Sequence, residues 1–381
     1  MKKIIFISNN ASRTGAPYVL LLFLKWLKNK NKEIDINIVF LGGGDLLDDF
    51  KEVSKVCYNY NDLLTKKSFG TRLYLYLLGK INKNNTQKKR FIKSIANQQY
   101  DIIYANTIAT VSFATLLKEN CTNRPKLIAH IHELSTTIKE YLPDFDKYIP
   151  QVDLFVSVSQ MVMNNLNSEW NINPQKNYLV YGFSDKIVQK NNSSQNESDH
   201  KKVFEVGASG LVQWRKGYDL FIQVANYLKI RYPEINIKYT WVGKISQTQR
   251  NSIEADLEKA NLKDTLFFVG EQNRPEIYYE KFDVFLMTSR EDPFPLVCIE
   301  VGKSGIPIIC FEKATGIQEV LVSGGGFVVP YLDVVAMAEK LVLYYYDSTL
   351  LSKDSKKNKV NFSIFTSEIM GEKLFDFIEN I

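Results

Sequence analysis

The chain is poor in the residues that build metal centres and disulfide frameworks. It has 3 histidines and 4 cysteines in 381 residues. Cys57, Cys121, Cys298 and Cys310 never approach a C-x-x-C spacing, and two of them lie in apolar runs, so reduced, buried thiols in a cytosolic protein are expected. No apolar stretch reaches the roughly 20 residues needed to span a bilayer, which leaves a soluble or peripheral protein. Met1-Lys2-Lys3-Ile4-Ile5-Phe6-Ile7-Ser8 has the charged start of an export signal, but its apolar run stops at Asn9-Asn10 and reads as a first strand. A large excess of one charge is also lacking. The 48 basic and 42 acidic residues leave +6, which suits an anionic ligand or membrane surface and falls short of a nucleic-acid-binding face.

What the chain does have is apolar bulk: 45% of residues are hydrophobic and 13% aromatic, enough for a sizeable core. At 381 residues it is long enough for two domains. Short β-like runs alternate with helical patterns, which predicts an α/β fold. Strands are expected at 4–8, 36–41, 101–105, 127–131, 153–158 and 177–181, and then at 237–242, 265–269, 283–287 and 306–311. Residues 186–202 are polar and nearly free of large apolar groups, and read as a linker between a domain at 1–185 and another at 203–360. Phe365, Ile369, Leu374, Phe377 and Ile378 recur near helical spacing, so 361–381 reads as a packed terminal helix. Leu73 to Leu78 and Lys80 to Arg90 mix aromatic and basic residues. A solvated basic face is the favoured reading there, with a membrane-surface element as the alternative.

Two strand-to-helix loops of the second half hold the candidate chemistry. Ligands of open parallel sheets bind at the carboxyl ends of the strands, where a following helix N-terminus favours an anion. After the strand at 283–287, Glu291 and Asp292 precede two prolines, and Glu300 follows inside the next helix. Carboxylates accept hydroxyl protons, so these groups suit a ligand rich in vicinal diols. Glu300 lies between apolar neighbours, where an unpaired carboxylate would be costly. The other loop is Gly207-Ala208-Ser209-Gly210-Leu211-Val212-Gln213-Trp214-Arg215-Lys216-Gly217. It is neither the dinucleotide fingerprint nor a P-loop. Its glycines, Gly210 among them, let a ligand approach the backbone, and Arg215 with Lys216 can hold a diphosphate. In the first half, strand alternation puts His130 and His132 on one face. A third metal ligand is missing, and His132, nearer the strand end, is the better candidate for substrate contact.

Together these residues resemble the retaining glycosyltransferases of family 4, the bacterial glycosyl transferases group 1, over nearly the whole chain. The most specific part is Ser289-Arg290-Glu291-Asp292-Pro293-Phe294-Pro295-Leu296-Val297-Cys298-Ile299-Glu300, which looks like the family's carboxylate, seven residues, glutamate signature. The resemblance implies the GT-B fold, two facing Rossmann-like domains with parallel sheets and a central crevice, and a C-terminal helix packing back toward the N-terminal domain. It implies that Glu300 binds the donor's ribose, and that Phe294, Pro295, Leu296 and Val297 present backbone amides to sugar and phosphate. Asp292 stands in register for the usual first glutamate, with Glu291 one residue earlier, and the choice between them for the donor sugar stays open. Lys216 matches the family's phosphate-binding lysine. The family's arginine five residues before it is Leu211 here, and Arg215 takes its part.

Thr14-Gly15-Ala16 matches the N-terminal loop, with Gly15 under the donor and Thr14, like Asn106, on the acceptor side. His132 matches the histidine near the donor sugar, and Glu319 fits a late acidic position. The implied reaction is sugar transfer from a nucleotide diphosphate sugar to an acceptor hydroxyl of a glycan, lipid-linked or protein acceptor, with retained configuration and without a metal or other cofactor. The setting is cytoplasmic, with peripheral contact at the inner membrane surface allowed and no nucleic acid involved. A nucleotide-sugar epimerase and a non-catalytic sugar-nucleotide-binding subunit are the alternative readings.

Overall fold

The computed structural model describes residues 1–60, 83–188 and 203–381, and within the helix Lys83–Ala96 the side chains from Lys89 onward. Residues 189–202 of the linker expected at 186–202, and much of the basic, aromatic stretch at 73–90, lie outside the described residues. The chain forms two compact units, Met1–Tyr181 with Met370–Ile381, and Gly182–Ile369.

The first unit is built on a parallel sheet in the order β3-β2-β1-β4-β5-β6-β7. Its strands are β1 (Lys2–Ser8), β2 (Ile34–Phe40), β3 (Val56–Asn59), β4 (Ile102–Asn106), β5 (Lys126–Ile131), β6 (Leu154–Ser157) and β7 (Asn177–Leu179). Ile4 to Ile7 of β1 are fully buried, as expected of a central strand covered by helices on both faces. The strand order reverses between β1 and β4, which pair in register from Ile4↔Ile102 to Ser8↔Asn106. That switch point opens at the ends of both strands, beside Asn9 to Thr14 on one side and Thr107 on the other.

The terminal helix is Ser367–Glu379. It starts later than the expected 361, because Asn361 and Phe362 finish the preceding helix, Ser348–Phe362. Gly371 lets it approach Trp26 so closely that an added Cβ would sit 3.1 Å from the indole. Phe375 packs on the same ring at 6.2 Å, and Lys2 Nζ donates to the carbonyls of Ile378 and Glu379 at 3.0 and 2.7 Å. A lysine at a helix C-terminus satisfies carbonyls that have no partner within the helix.

The second unit repeats the plan with the order β10-β9-β8-β11-β12-β13. Its strands are β8 (Phe204–Ser209), β9 (Ile237–Val242), β10 (Leu266–Phe268), β11 (Val284–Met287), β12 (Ile308–Phe311) and β13 (Gly326–Val329). Strand pairs are parallel throughout, and the order reverses between β8 and β11. The α/β class expected from the alternating pattern is the observed one, and β3 and β13 add an edge strand to each sheet. No helix among the described residues is long and apolar enough to cross a membrane.

Candidate functional site

In the second unit the switch point between β8 and β11 gathers both loops singled out above. β8 ends at Ser209, and Gly210 follows with φ +146°. Its amide donates to Val242 O and its carbonyl accepts from the Trp241 indole, each at 2.9 Å. A Cβ there would lie 3.2 Å from the Lys216 side chain, so glycine makes room for the lysine stem. A single 3-10 turn, Trp214–Lys216, carries the cations and stops at Gly217, whose φ of +67° is left-handed. The helix Tyr218–Arg231 starts directly after it.

The β11 loop is fastened to this turn. The Arg290 amide donates to Arg215 O at 2.8 Å, and Thr288 Oγ1 donates to Lys216 O at 3.3 Å. Arg290 also clamps Asp219 through two bonds of 2.8 and 2.7 Å, donates to Trp214 O at 2.8 Å, and lies over the Trp214 ring at 5.2 Å. Burial alone would raise the Asp219 carboxyl, but the paired Arg290 bonds outweigh it and hold the group below its ordinary value. The pairing of Asp219 with Arg290 was not visible in the sequence, since it spans 71 positions.

Asp292 is 6% exposed and pairs with Lys216 Nζ through Oδ2, while Arg215 Nη1 stands 3.6 Å from Oδ1. Its own amide donates to Ala314 O at 2.8 Å. Arg215 Nη1 donates to Glu291 O at 2.7 Å. Glu291 is also buried, yet its Oε1 meets no partner among the described residues. The two neighbouring carboxylates therefore differ: one is consumed by the cations, and the other has an oxygen to spare.

Pro295 precedes the helix Leu296–Lys303, whose first turn presents Leu296 and Val297, both half-buried. Phe294 anchors this entry edge-on to Phe365 at 5.1 Å. One turn in, Glu300 accepts from Ser184 Oγ at 2.9 Å, while Lys303 Nζ donates to Ser184 O. Burial pushes the Glu300 carboxyl up, against the pull of Lys186, the Ser184 bond and Lys303. The sequence did not show this pairing of Ser184 with Glu300 and Lys303, which spans more than a hundred positions. Glu319 lies in the first turn of the helix Ile317–Leu321.

The first unit holds the remaining candidates near the ends of β1, β4 and β5. Thr14 stands just before the helix Gly15–Asn29, and its hydroxyl is 2.6 Å from that of Ser12. A Cβ on Gly15 would meet nothing within 4 Å, so the backbone is open there. Asn106 ends β4 and donates to Ala16 O at 3.1 Å, leaving its buried Oδ1 without a partner among the described residues. His132 follows β5. Its ring centroid is 4.1 Å from that of His130, and its Nε2 is buried without a partner among the described residues. Burial lowers its pKa to about 3, so the ring is neutral at physiological pH. Glu133 Oε2 accepts from the amides of His132 and Ile108 at 2.9 and 3.1 Å.

Residues 189–360 match the family described as glycosyl transferases group 1. That segment is similar to this group over just under half of the chain. The O-antigen biosynthesis glycosyltransferase WclY of Escherichia coli is 25% identical over 322 residues, covering 81% of this chain and 79% of that protein. An uncharacterized glycosyltransferase of Haemophilus influenzae is 25% identical over 146 residues, and the match spans only 40% of its length and 38% of this chain. Among solved structures, Anabaena HepE in complex with UDP and glucose superposes with a TM-score of 0.78 at 14% identity, covering 100% of both chains. The fold is GT-B, with two parallel-sheet Rossmann-like domains.

Proposed function

We propose that this protein is a retaining glycosyltransferase of family 4, which moves a sugar from a nucleotide diphosphate sugar to an acceptor hydroxyl in bacterial polysaccharide, glycolipid or glycoprotein glycan synthesis. The observation that carries the reading is the convergence of Arg215 and Lys216 on Asp292, with Glu291 adjacent, at the β8/β11 switch point. Breaking a sugar–phosphate bond leaves negative charge on the departing diphosphate, and fixed cations there stabilise the transition state more than the ground state. Lys216, with Arg215, supplies that charge. The amides that open the helix Leu296–Lys303 take a phosphate, and Glu300 accepts the ribose hydroxyls.

No carboxylate serves as a nucleophile in this scheme. The departing phosphate takes the acceptor proton on the face it leaves, and the protein contributes positioning and charge. Metal is not required, so transfer persists in excess chelator. The O-antigen role in the name of WclY supports a polysaccharide-type acceptor, and the UDP bound to HepE puts UDP-sugars first among donors. We place the reaction in the cytoplasm, at or near the inner membrane surface.

The test is a thermal-shift screen of UDP-, GDP- and dTDP-sugars followed by transfer assays with the donor that stabilises the chain. The expected result is stabilisation by one nucleotide class and a glycoside product with the donor's anomeric configuration by proton NMR. Nucleotide binding without release of nucleotide diphosphate in any acceptor mixture would overturn the reading, and an inverted product would overturn its stereochemistry.

A further inference from the structure

The first unit contains a polar arrangement that the proposed reaction does not use. In the β4–β5 register, Tyr104 pairs with Ile128 and Asn106 with His130, which places the tyrosine beside the histidine on the neighbouring strand. Tyr104 is fully buried and its hydroxyl lies 2.6 Å from Nδ1 of His130. It meets no other hydrogen-bond partner among the described residues. A buried hydroxyl proton without an acceptor is costly, so the phenol donates and Nδ1 accepts. The ring proton of His130 is then on Nε2, which is buried without a partner among the described residues; the other tautomer would leave both the phenol proton and Nε2 unpaired.

His130 is 3% exposed, and its ring lies against that of His132 with centroids 4.1 Å apart and planes tilted by 45°. Burial, with His132 alongside, keeps His130 uncharged, and the two neutral rings pack without repulsion. Glu133 fixes the His132 backbone through its amide, but the structure gives the His132 side chain no hydrogen bond among the described residues. Its orientation rests on packing, and the ring packed on it is the one that Tyr104 holds.

We propose that His130, locked as its Nε2–H tautomer by Tyr104, is a positioning residue that sets the His132 ring for sugar transfer. The consequence for transfer rests on the function proposed above, whereas the positioning itself is observable without any turnover.

The chain has 3 histidines, so uniform 15N-histidine labelling of the full-length protein gives three ring systems, assigned with His200→Gln and His132→Gln. Wild type is expected to show His130 protonated at Nε2 with a hydrogen-bonded Nδ1. Tyr104→Phe removes only the hydroxyl. It should abolish the defined tautomer of His130, move the ring-proton resonances of His132, and lower transfer kcat about tenfold while donor KM stays within about twofold. Should that variant not fold, His130→Asn removes the packed ring and is expected to move the same His132 resonances. A wild-type His130 protonated at Nδ1, or His132 resonances unmoved in a folded variant, would overturn the proposal, as would an unchanged kcat in an active enzyme. Moved resonances in a protein that transfers no sugar would support the positioning and overturn the proposed function instead.

Discussion

Lys216 and Asp292, 76 positions apart, form a direct ion pair at the switch point of the second sheet, both largely buried. Arg215 flanks the same carboxylate. One carboxylate thus balances only one of the two cations, and under the proposed function a diphosphate would replace Asp292 as the anionic partner of Lys216. Such an exchange keeps a buried cation from standing alone, which would cost several kcal/mol.

Lys216→Ala follows directly. Removing a single charge donor aimed at a developing anion typically costs about 10²–10³ in kcat. The expected outcome is a loss of transfer of about that size with the fold retained by circular dichroism, because Arg215 stays within reach of Asp292. Near wild-type turnover would remove Lys216 from the machinery.

Glu300→Gln separates binding from stability. Burial raises the Glu300 carboxyl, so its folded pKa lies above its unfolded one. A group of that kind stabilises the fold below its unfolded pKa, and the contribution is lost as pH rises through the folded pKa. At pH 7.5 the charged carboxylate therefore works against the fold. The glutamine variant should melt higher there by about 2 °C, roughly what 1 kcal/mol makes in a domain of this size. The gap should shrink as pH falls toward 5. Its affinity for the donor should drop about tenfold or more, since hydrogen bonds to a charged acceptor are worth roughly 1.5–3 kcal/mol. Calorimetry across that pH range with donor titrations checks both; equal melting at all pH values would show that the carboxylate is not strained by burial.

The sheets were legible where apolar runs are long. Ile4 to Ile7 and Ile306 to Phe311 announce buried strands, and the helices between them impose the parallel order. Of the four edge strands, β7 and β10 were expected but β3 and β13 were not: β3 is four half-buried residues, and β13 is four residues directly after Gly324-Gly325. At the site, residue types and spacing singled out Arg215, Lys216, Asp292 and Glu300. Pairing did not show, because Lys216 with Asp292, Arg290 with Asp219 and Tyr104 with His130 are joined only by strand order and register.

Gly217→Ala tests the turn that aims the cations. At φ +67° a side chain is disfavoured, and a Cβ would come within 1.9 Å of Thr288 O, a backbone atom. The loops after β8 and β11 would have to part. Strain at such a position costs about 1–3 kcal/mol before the clash is counted. The melting temperature is expected to fall by about 5 °C or more, and donor binding should fail together with it. A variant as stable as wild type would mean that the two loops are not packed as described.

Glu291 and Asp292 are neighbours with opposite expected phenotypes. Asp292 is paired with Lys216 and Arg215, so Asp292→Asn leaves a largely buried lysine and a half-buried arginine without their acid and should lower the melting temperature. It should also tighten binding of the free nucleotide diphosphate, because Lys216 no longer has to leave a carboxylate. Glu291 has a buried oxygen with no partner among the described residues, an arrangement that a ligand hydroxyl would complete. Glu291→Gln should therefore leave binding of the free nucleotide diphosphate within about twofold while weakening the full sugar donor about tenfold, the loss of one hydrogen bond to a charged group. Isothermal titration of both ligands against both variants decides it. If Glu291→Gln binds the two ligands as wild type does and Asp292→Asn loses only the sugar donor, the sugar contact belongs to Asp292.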